Sequence, residues 1–390
     1  MNRSNSGVNL PALRSHNAAL VLDLLRVAGV CGISRLELAE RTGLTPQAVS
    51  KITARLRAEG LVAGAGHRAS TGGKPRTVLR LVPDAGYAVG LHLDRDGLTA
   101  VLVDLSGAVA GSRTAPLDLG APAEEVLAAA TDAVTAVRSG GAVTAAGEGG
   151  AGPAVRDGGA GPGDRPVLGV GVAVPGPLDH RGGVLHRVTG FPQWDGYPLR
   201  DALAVRTGLP VVVDKDTNAA ALGLALRAEG GGDFAYLHLG TGLGAGLVLG
   251  GALHRGARTG AGEFGHQTVQ LDGPVCGCGG RGCIEALCLA AVARGDAAEA
   301  ARVLGTGAAN LVGLLDIDRV VLGGRTVAAD PDTYVRGVRA VLDERAGRGG
   351  RCGAEVPVAA AGGGDRPVAE GAAQLVLAPL FGRAGGAGEA

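Results

Sequence analysis

Apolar residues fall at helical spacing in NAALVLDLLRVAG (17–29), with Asn17 placed to cap the helix. The next run, SRLELAERTGLTPQAVSKITARLRAEGLV, predicts two short helices. Ser34 caps the first, which extends to about Arg41, and Glu37 three positions on completes a capping box. Gly43 supplies a tight turn. Thr45 caps the second helix, and Pro46 takes its first position, where a missing N–H costs nothing. Val49, Ile52 and Leu56 then share a core-facing stripe, which leaves Gln47, Ser50, Lys51 and Arg55 outside. LVAGAG and PRTVLRLV follow as two strands joined by HRASTGGKP.

Further along, YAVGLHLDRDGLTAVLVDLSGAVAGSRTAPL predicts three consecutive strands with tight turns, and a helix follows over roughly 122–138. Residues 139–166 are rich in Gly, Ala and Pro without periodicity, which predicts a flexible surface insertion. Apolar strands resume at VLGVGVAVPGPLD and recur at 210–214, 233–240, 245–251 and 319–324, with helices between them. This alternation predicts an α/β body with a mixed sheet in two lobes.

Composition changes the picture in two ways. At 390 residues the chain is long enough for two or three domains, and 46% hydrophobic content is enough to fill their cores. It shows no run of about 18 apolar residues and no export signal, so a cytoplasmic protein with no membrane partner is expected. Net charge is zero, yet residues 1–82 carry twelve Arg and Lys against four acids. A basic head on an acidic body points to a polyanion partner. Two short helices around a glycine turn, the second polar and basic outside, fit a helix-turn-helix. The hairpin would be its wing, reaching DNA through Arg68, Lys74 and Arg76. The alternative is a helical docking module for another protein.

Cysteine use is concentrated in GEFGHQTVQLDGPVCGCGGRGCIEAL. Cys276, Cys278 and Cys283 with His266 make a Cys₃His set, the ligand chemistry of a closed structural Zn²⁺ site. Cys288 and Cys31 sit in apolar helical contexts and read as core, while Cys352 has no assignment.

The strings TGLTPQAVS with GGKP, VGVAVPGPLD, DKDTNAAALG, LHLGTGLGAGLVLGG, GEFGH and CGCGGRGCIE together resemble the ROK family (repressor, open reading frame, kinase), in its regulator branch. The resemblance runs from about Leu13 to the C-terminal helix, interrupted by the insertion. It implies a winged helix-turn-helix over 1–83, then an actin-like, ribonuclease-H-like pair of lobes over 84–217 and 218–390 with a cleft for sugar and nucleotide. By resemblance, Asp216 takes the general-base position. Glu263, His266 and Glu285 take sugar-contact positions, and the zinc ligand types coincide with the Cys₃His set.

The kinase machinery is only partly matched. The first phosphate loop of the kinases corresponds to GLHLDRDG (90–97), where His92 replaces an Asp and Asp94, Arg95 and Asp96 replace Gly-Gly-Thr. Anionic side chains there should repel phosphate. The second loop survives as Gly240, Thr241, Gly242, Leu243 and Gly244. Arg325 replaces the last residue of a glycine triplet near the nucleotide end. Lys215 stands where the family has Asn; it could favour an anionic ligand or simply pair with Asp214 or Asp216.

The expectation is therefore a sugar-responsive regulator, a repressor without enzymatic activity. Its partners would be operator DNA, a sugar or sugar-phosphate effector, and a second copy of itself. An ATP-dependent sugar kinase with a DNA-binding head is the first alternative. A DNA-binding protein whose cleft answers to a partner protein is the second.

Overall fold

The computed structural model describes residues 10–68, 76–140, 166–227, 232–348, 355–362 and 366–383. The wing tip with Lys74, most of the predicted insertion and Cys352 lie outside the described residues.

The head consists of α1 (Leu10–Ala28), β1 (Ile33–Ser34), α2 (Arg35–Thr42), α3 (Pro46–Ala58), β2 (Val62–Arg68) and β3 (Arg76–Leu81). The capping box of Ser34 and Glu37 forms as the sequence requires, Gly43 closes α2 in the left-handed conformation, and Thr45 accepts from the Ala48 N–H. Two details differ. Asn17 lies inside α1, which begins at Leu10. The buried stripe of α3 runs through Val49, Thr53 and Leu56, with Ile52 only half-buried. Thr53 is tolerated there because its hydroxyl donates to the Val49 carbonyl and receives Arg35 Nε. Cys31 is also a correction: it sits in the turn after α1 and is exposed, whereas Cys288 is buried.

The first lobe carries β4 (Tyr87–Leu93), β5 (Gly97–Asp104), β6 (Val109–Pro116), α4 (Ala123–Arg138), β7 (Val167–Val174), a small hairpin of β8 (Leu178–Asp179) and β9 (Val184–Leu185), α5 (Leu199–Thr207) and β10 (Val211–Lys215). Its sheet has the order β10-β7-β4-β5-β6, with β4, β5 and β6 antiparallel and β4, β7 and β10 parallel. Helix α6 (Asp216–Leu226) leads into the second lobe of β11 (Phe234–Leu239), β12 (Leu243–Leu249), β13 (Ala252–Leu253), α7 (Ile284–Ala293), α8 (Ala297–Leu315), β14 (Arg319–Gly323), α9 (Arg325–Ala329), α10 (Pro331–Arg348) and β15 (Val358–Ala360). The second sheet, β13-β12-β11-β14-β15, repeats the arrangement of the first. Each lobe buries its own aliphatic core.

The last helix, α11 (Arg366–Leu377), belongs to the second lobe by chain order but packs on the first sheet and against α6. Its approach is backbone to backbone. A Cβ at Gly90 would stand 1.9 Å from the Ala369 carbonyl oxygen, and one at Gly371 would stand 1.9 Å from that of Ala219. No side chain larger than hydrogen fits at either position.

The head is not a bead on a string. Its core residues Leu25, Leu38 and Leu56 share one buried cluster with Val101 and Leu105 of the first lobe and with Ala373, Leu377 and Phe381. Asp23 of α1 binds Arg26 at 2.8 Å and Arg383 at 2.7 Å. The Arg26 guanidinium lies over Phe381 and reaches the carbonyl of Leu226, the last residue of α6.

Candidate functional site

The cleft between the lobes holds a cavity of about 360 Å³. That is near the lower end of ligand pockets, roughly 300–1,000 Å³, and suits one sugar-sized molecule. Asp216 opens α6 at the floor, directly after β10. Burial pushes its carboxyl above the usual range, which suits a group meant to share a proton with a hydroxyl.

Three residues that the sequence pattern did not single out hold this floor. Asp214 is 1% exposed and accepts from Asn218 Nδ2 at 2.8 Å and Arg255 Nε at 2.7 Å, which locks the β10–α6 corner. A buried carboxylate is stable there only because both partners are present. Lys215 pairs with neither neighbouring Asp side chain: its Nζ donates to Glu263 Oε1 at 3.0 Å and to the Ala261 carbonyl. The ammonium thus orients a predicted sugar-contact carboxylate. Glu285, in the first turn of α7, accepts the Leu243 N–H through Oε2 at 2.9 Å. Asp216, Glu263, His266, Glu285 and Lys215 all line the one cavity.

The ligand atoms of His266, Cys276, Cys278 and Cys283 lie within 4.8 Å of one another. Cys276 Sγ is 3.7 Å from His266 Nδ1, and Cys278 Sγ is 3.8 Å from Cys283 Sγ. A tetrahedral Zn²⁺ with bonds of about 2.3 Å to sulfur separates its sulfurs by about 3.8 Å. The four residues therefore fit that ion in donor type and spacing. Without a cation, desolvation pushes the Cys283 thiol up to about 12, so that residue needs a metal charge to become thiolate.

On the head, Gln47, Ser50, Lys51 and Arg55 are all exposed along one side of α3. Arg68 and Arg76 stand opposite each other at the end of the described hairpin.

The winged helix-turn-helix DNA-binding profile matches residues 31–63, and the ROK family profile matches residues 163–295. The chain carries a ROK family domain behind a winged helix-turn-helix. A xylose repressor from Caldicellulosiruptor bescii is 30% identical over 279 residues, 71% of this chain and 64% of that protein, so the match spans just under two thirds of its relative. A glucokinase from Thermotoga maritima is 43% identical over 128 residues, 32% of this chain and 40% of the kinase. The solved structure of a ROK family transcriptional regulator, a homolog of the E. coli MLC protein, superposes with a TM-score of 0.74 at 21% identity, covering 95% of this chain and 98% of that one. That likeness establishes the fold, including the actin-like pair of lobes.

The turn after β4 has an unforeseen structure. Arg325 Nη2, from the start of α9, reaches Asp96 at 2.6 Å and Asp94 at 3.3 Å. Asp94 also accepts from Thr241 of the retained glycine loop at 3.1 Å. One guanidinium therefore bridges both carboxylates across the cleft and offsets one of their two charges. Asp94, Asp96 and Arg325 form one bridge between the lobes. Sequence reading found each departure but not their pairing, since 231 positions separate Arg325 from Asp94.

His92 lies beneath this bridge, buried, with no partner for Nε2. Burial pushes its pKa down to about 4. The folded chain thus keeps His92 neutral where the unfolded chain begins to bind a proton, near pH 6.5. The resulting stability is present above about 6.5 and is lost as pH falls toward 4. We expect the wild type to lose about 2 kcal/mol between pH 7 and pH 5 from this residue alone. In urea melts at the two pH values, His92→Gln should shrink the difference by that amount. An unchanged difference would mean His92 is not buried neutral.

Proposed function

We propose that the chain is a sugar-responsive repressor of transcription whose ROK domain has kept a sugar site and given up phosphoryl transfer. The observation that carries this is the split condition of the cleft. The sugar side brings Asp216, Glu263, His266 and Glu285 to one cavity, whereas the turn for phosphate is occupied by the Arg325 bridge. Phosphoryl transfer depends on positioning and on charge stabilisation at that turn. The xylose repressor relative supports the same reading and points to a carbohydrate as effector.

The winged helix reads operator DNA with α3 in the major groove, and a homodimer supplies two half-sites. Zn²⁺ on His266, Cys276, Cys278 and Cys283 is structural; it leaves no position for a reacting water and fixes His266 beside the sugar. A cytoplasmic location follows from the proposed DNA-binding role; no helix among the described residues is long and apolar enough to cross a membrane.

Effector and DNA are linked through α6. Its first residue is Asp216 at the sugar, and its last, Leu226, meets Arg26 of the head. A sugar that favours one position of α6 shifts the population of head positions.

The test is release of promoter DNA across a sugar panel. One sugar should lower DNA affinity at least tenfold, the usual scale of allosteric coupling. Asp216→Asn should keep DNA binding and lose the response. A full response in Asp216→Asn would place the sugar elsewhere.

A second reading has specific support: Asp216 and the Gly240–Gly244 loop remain, and the segment shared with the glucokinase is 43% identical. In this reading the chain phosphorylates its sugar. ATP-dependent phosphorylation of a common hexose at ordinary kinase rates would establish it.

A further inference from the structure

We propose that Arg95 is the anion-reading residue of the cleft, and that the effector is a monosaccharide carrying a phosphate or carboxylate group. This rests on the sugar-site reading above and narrows the class of molecule it takes.

Arg95 follows β4 and lines the cavity from the first lobe. Its guanidinium lies over the Phe191 ring, 5.3 Å from the centroid. Its Nη2 points toward the retained glycine loop, where a Cβ placed on Gly242 would be 4.0 Å away. One side chain thus spans from the first lobe to the second lobe's loop.

The other cations around the cleft are engaged. Lys215 is held by Glu263, Arg255 by Asp214, and Arg325 by Asp94 and Asp96. Arg187, on the same wall, faces Asp195 at 3.6 Å. Arg95 has no carboxylate partner among the described residues. The acids that could have taken it are already committed: Asp94 and Asp96 to Arg325, and Glu285 to the Leu243 N–H.

A half-buried guanidinium stacked on an aromatic face keeps its N–H edges for a ligand. Those edges match phosphate or carboxylate oxygens in a two-pronged fashion that a single hydroxyl cannot satisfy. The hydroxyls of the same molecule would face Asp216, Glu263 and Glu285. In the kinases this turn serves phosphate of a nucleotide; here the charge that attracts an anion has moved onto a side chain.

The experiment is calorimetric titration of the full zinc-loaded chain with xylose and glucose, their monophosphates, and the matching aldonates and uronates. At least one anionic sugar should bind tenfold or more tightly than its uncharged parent. Arg95→Gln should reduce that gap to threefold or less and change affinity for the uncharged sugar by less than threefold. Arg95→Lys should recover part of the gap. The phosphate and carboxylate arms identify which anion is read. Uncharged sugars that bind as tightly as every anionic counterpart, or a gap that survives Arg95→Gln, overturn the assignment of Arg95 and leave the sugar site standing. Failure of every sugar to bind would sink the sugar-sensor reading and this inference with it.

Discussion

Replacing Lys51 and Arg55 together with alanine is expected to weaken operator binding by roughly 10²-fold or more, at about 1–3 kcal/mol for each side chain that reaches DNA. The two are one helical turn apart on α3, and both are exposed. Neither buries apolar surface, so the double variant should melt within about 0.5 kcal/mol of wild type. The ion pair of Arg55 with Glu59, at 3.5 Å and half-exposed, is weak and gives way to phosphate readily. Anisotropy titrations over a salt series should show a second change. The dependence of log K on log salt becomes shallower by about one for each phosphate contact removed. Effector affinity should be untouched. If DNA affinity survives the double substitution, α3 does not lie in the groove and the basic wing carries the recognition.

Loss of zinc should have the second large effect, in the second lobe. The purified chain is expected to hold about one Zn²⁺, measured by elemental analysis. Cys278 is exposed, so Cys278→Ser perturbs little beyond the ligand set. It should lose most of the metal and about 3 kcal/mol or more of stability, since structural zinc contributes folding energy directly. Sugar affinity should fall at least tenfold with it, because His266 is at once a predicted ligand of the ion and part of the cavity wall. DNA binding without sugar should persist, since the buried cluster that the head shares with the first lobe and α11 includes no residue of this loop. A metal-free chain that melts and binds sugar like the native one would refute a structural role.

Local chemistry was legible from the sequence. Ser34 with Glu37, and Thr45 before Pro46, specify helix starts through contacts three residues long, and both form as expected. The Cys₃His set was legible for the same reason: three of its members lie within eight positions. What could not be read were pairings between distant segments. Thr53 looks like a solvent-facing residue until Arg35 of the neighbouring helix reaches it. Asp214 looks like one more strand-end acid until Arg255 closes on it across 41 positions. Asp94 and Asp96 suggest repulsion of phosphate when counted alone, and a lobe-bridging ion pair once Arg325 is placed. A charge in a sequence has a sign but no partner. The N-terminal extension of α1 beyond Asn17 was missed because a capping residue within a longer apolar run is only a candidate.

The contact of α11 with β4 and α6 has a consequence for how such a protein diversifies. At Gly90 and Gly371 main chain touches main chain, so no rotamer can give when α6 is pushed. Under the proposed coupling, a displacement at Asp216 would be carried along α6 to Leu226 and Arg26 with little loss, as through a rigid beam. The residues proposed to choose the ligand, Arg95, Lys215 and Glu263 among them, stand on the cleft wall and are not part of that beam. Sugar preference can drift by exchanging wall side chains one at a time while the lever that moves the DNA head is inherited unchanged.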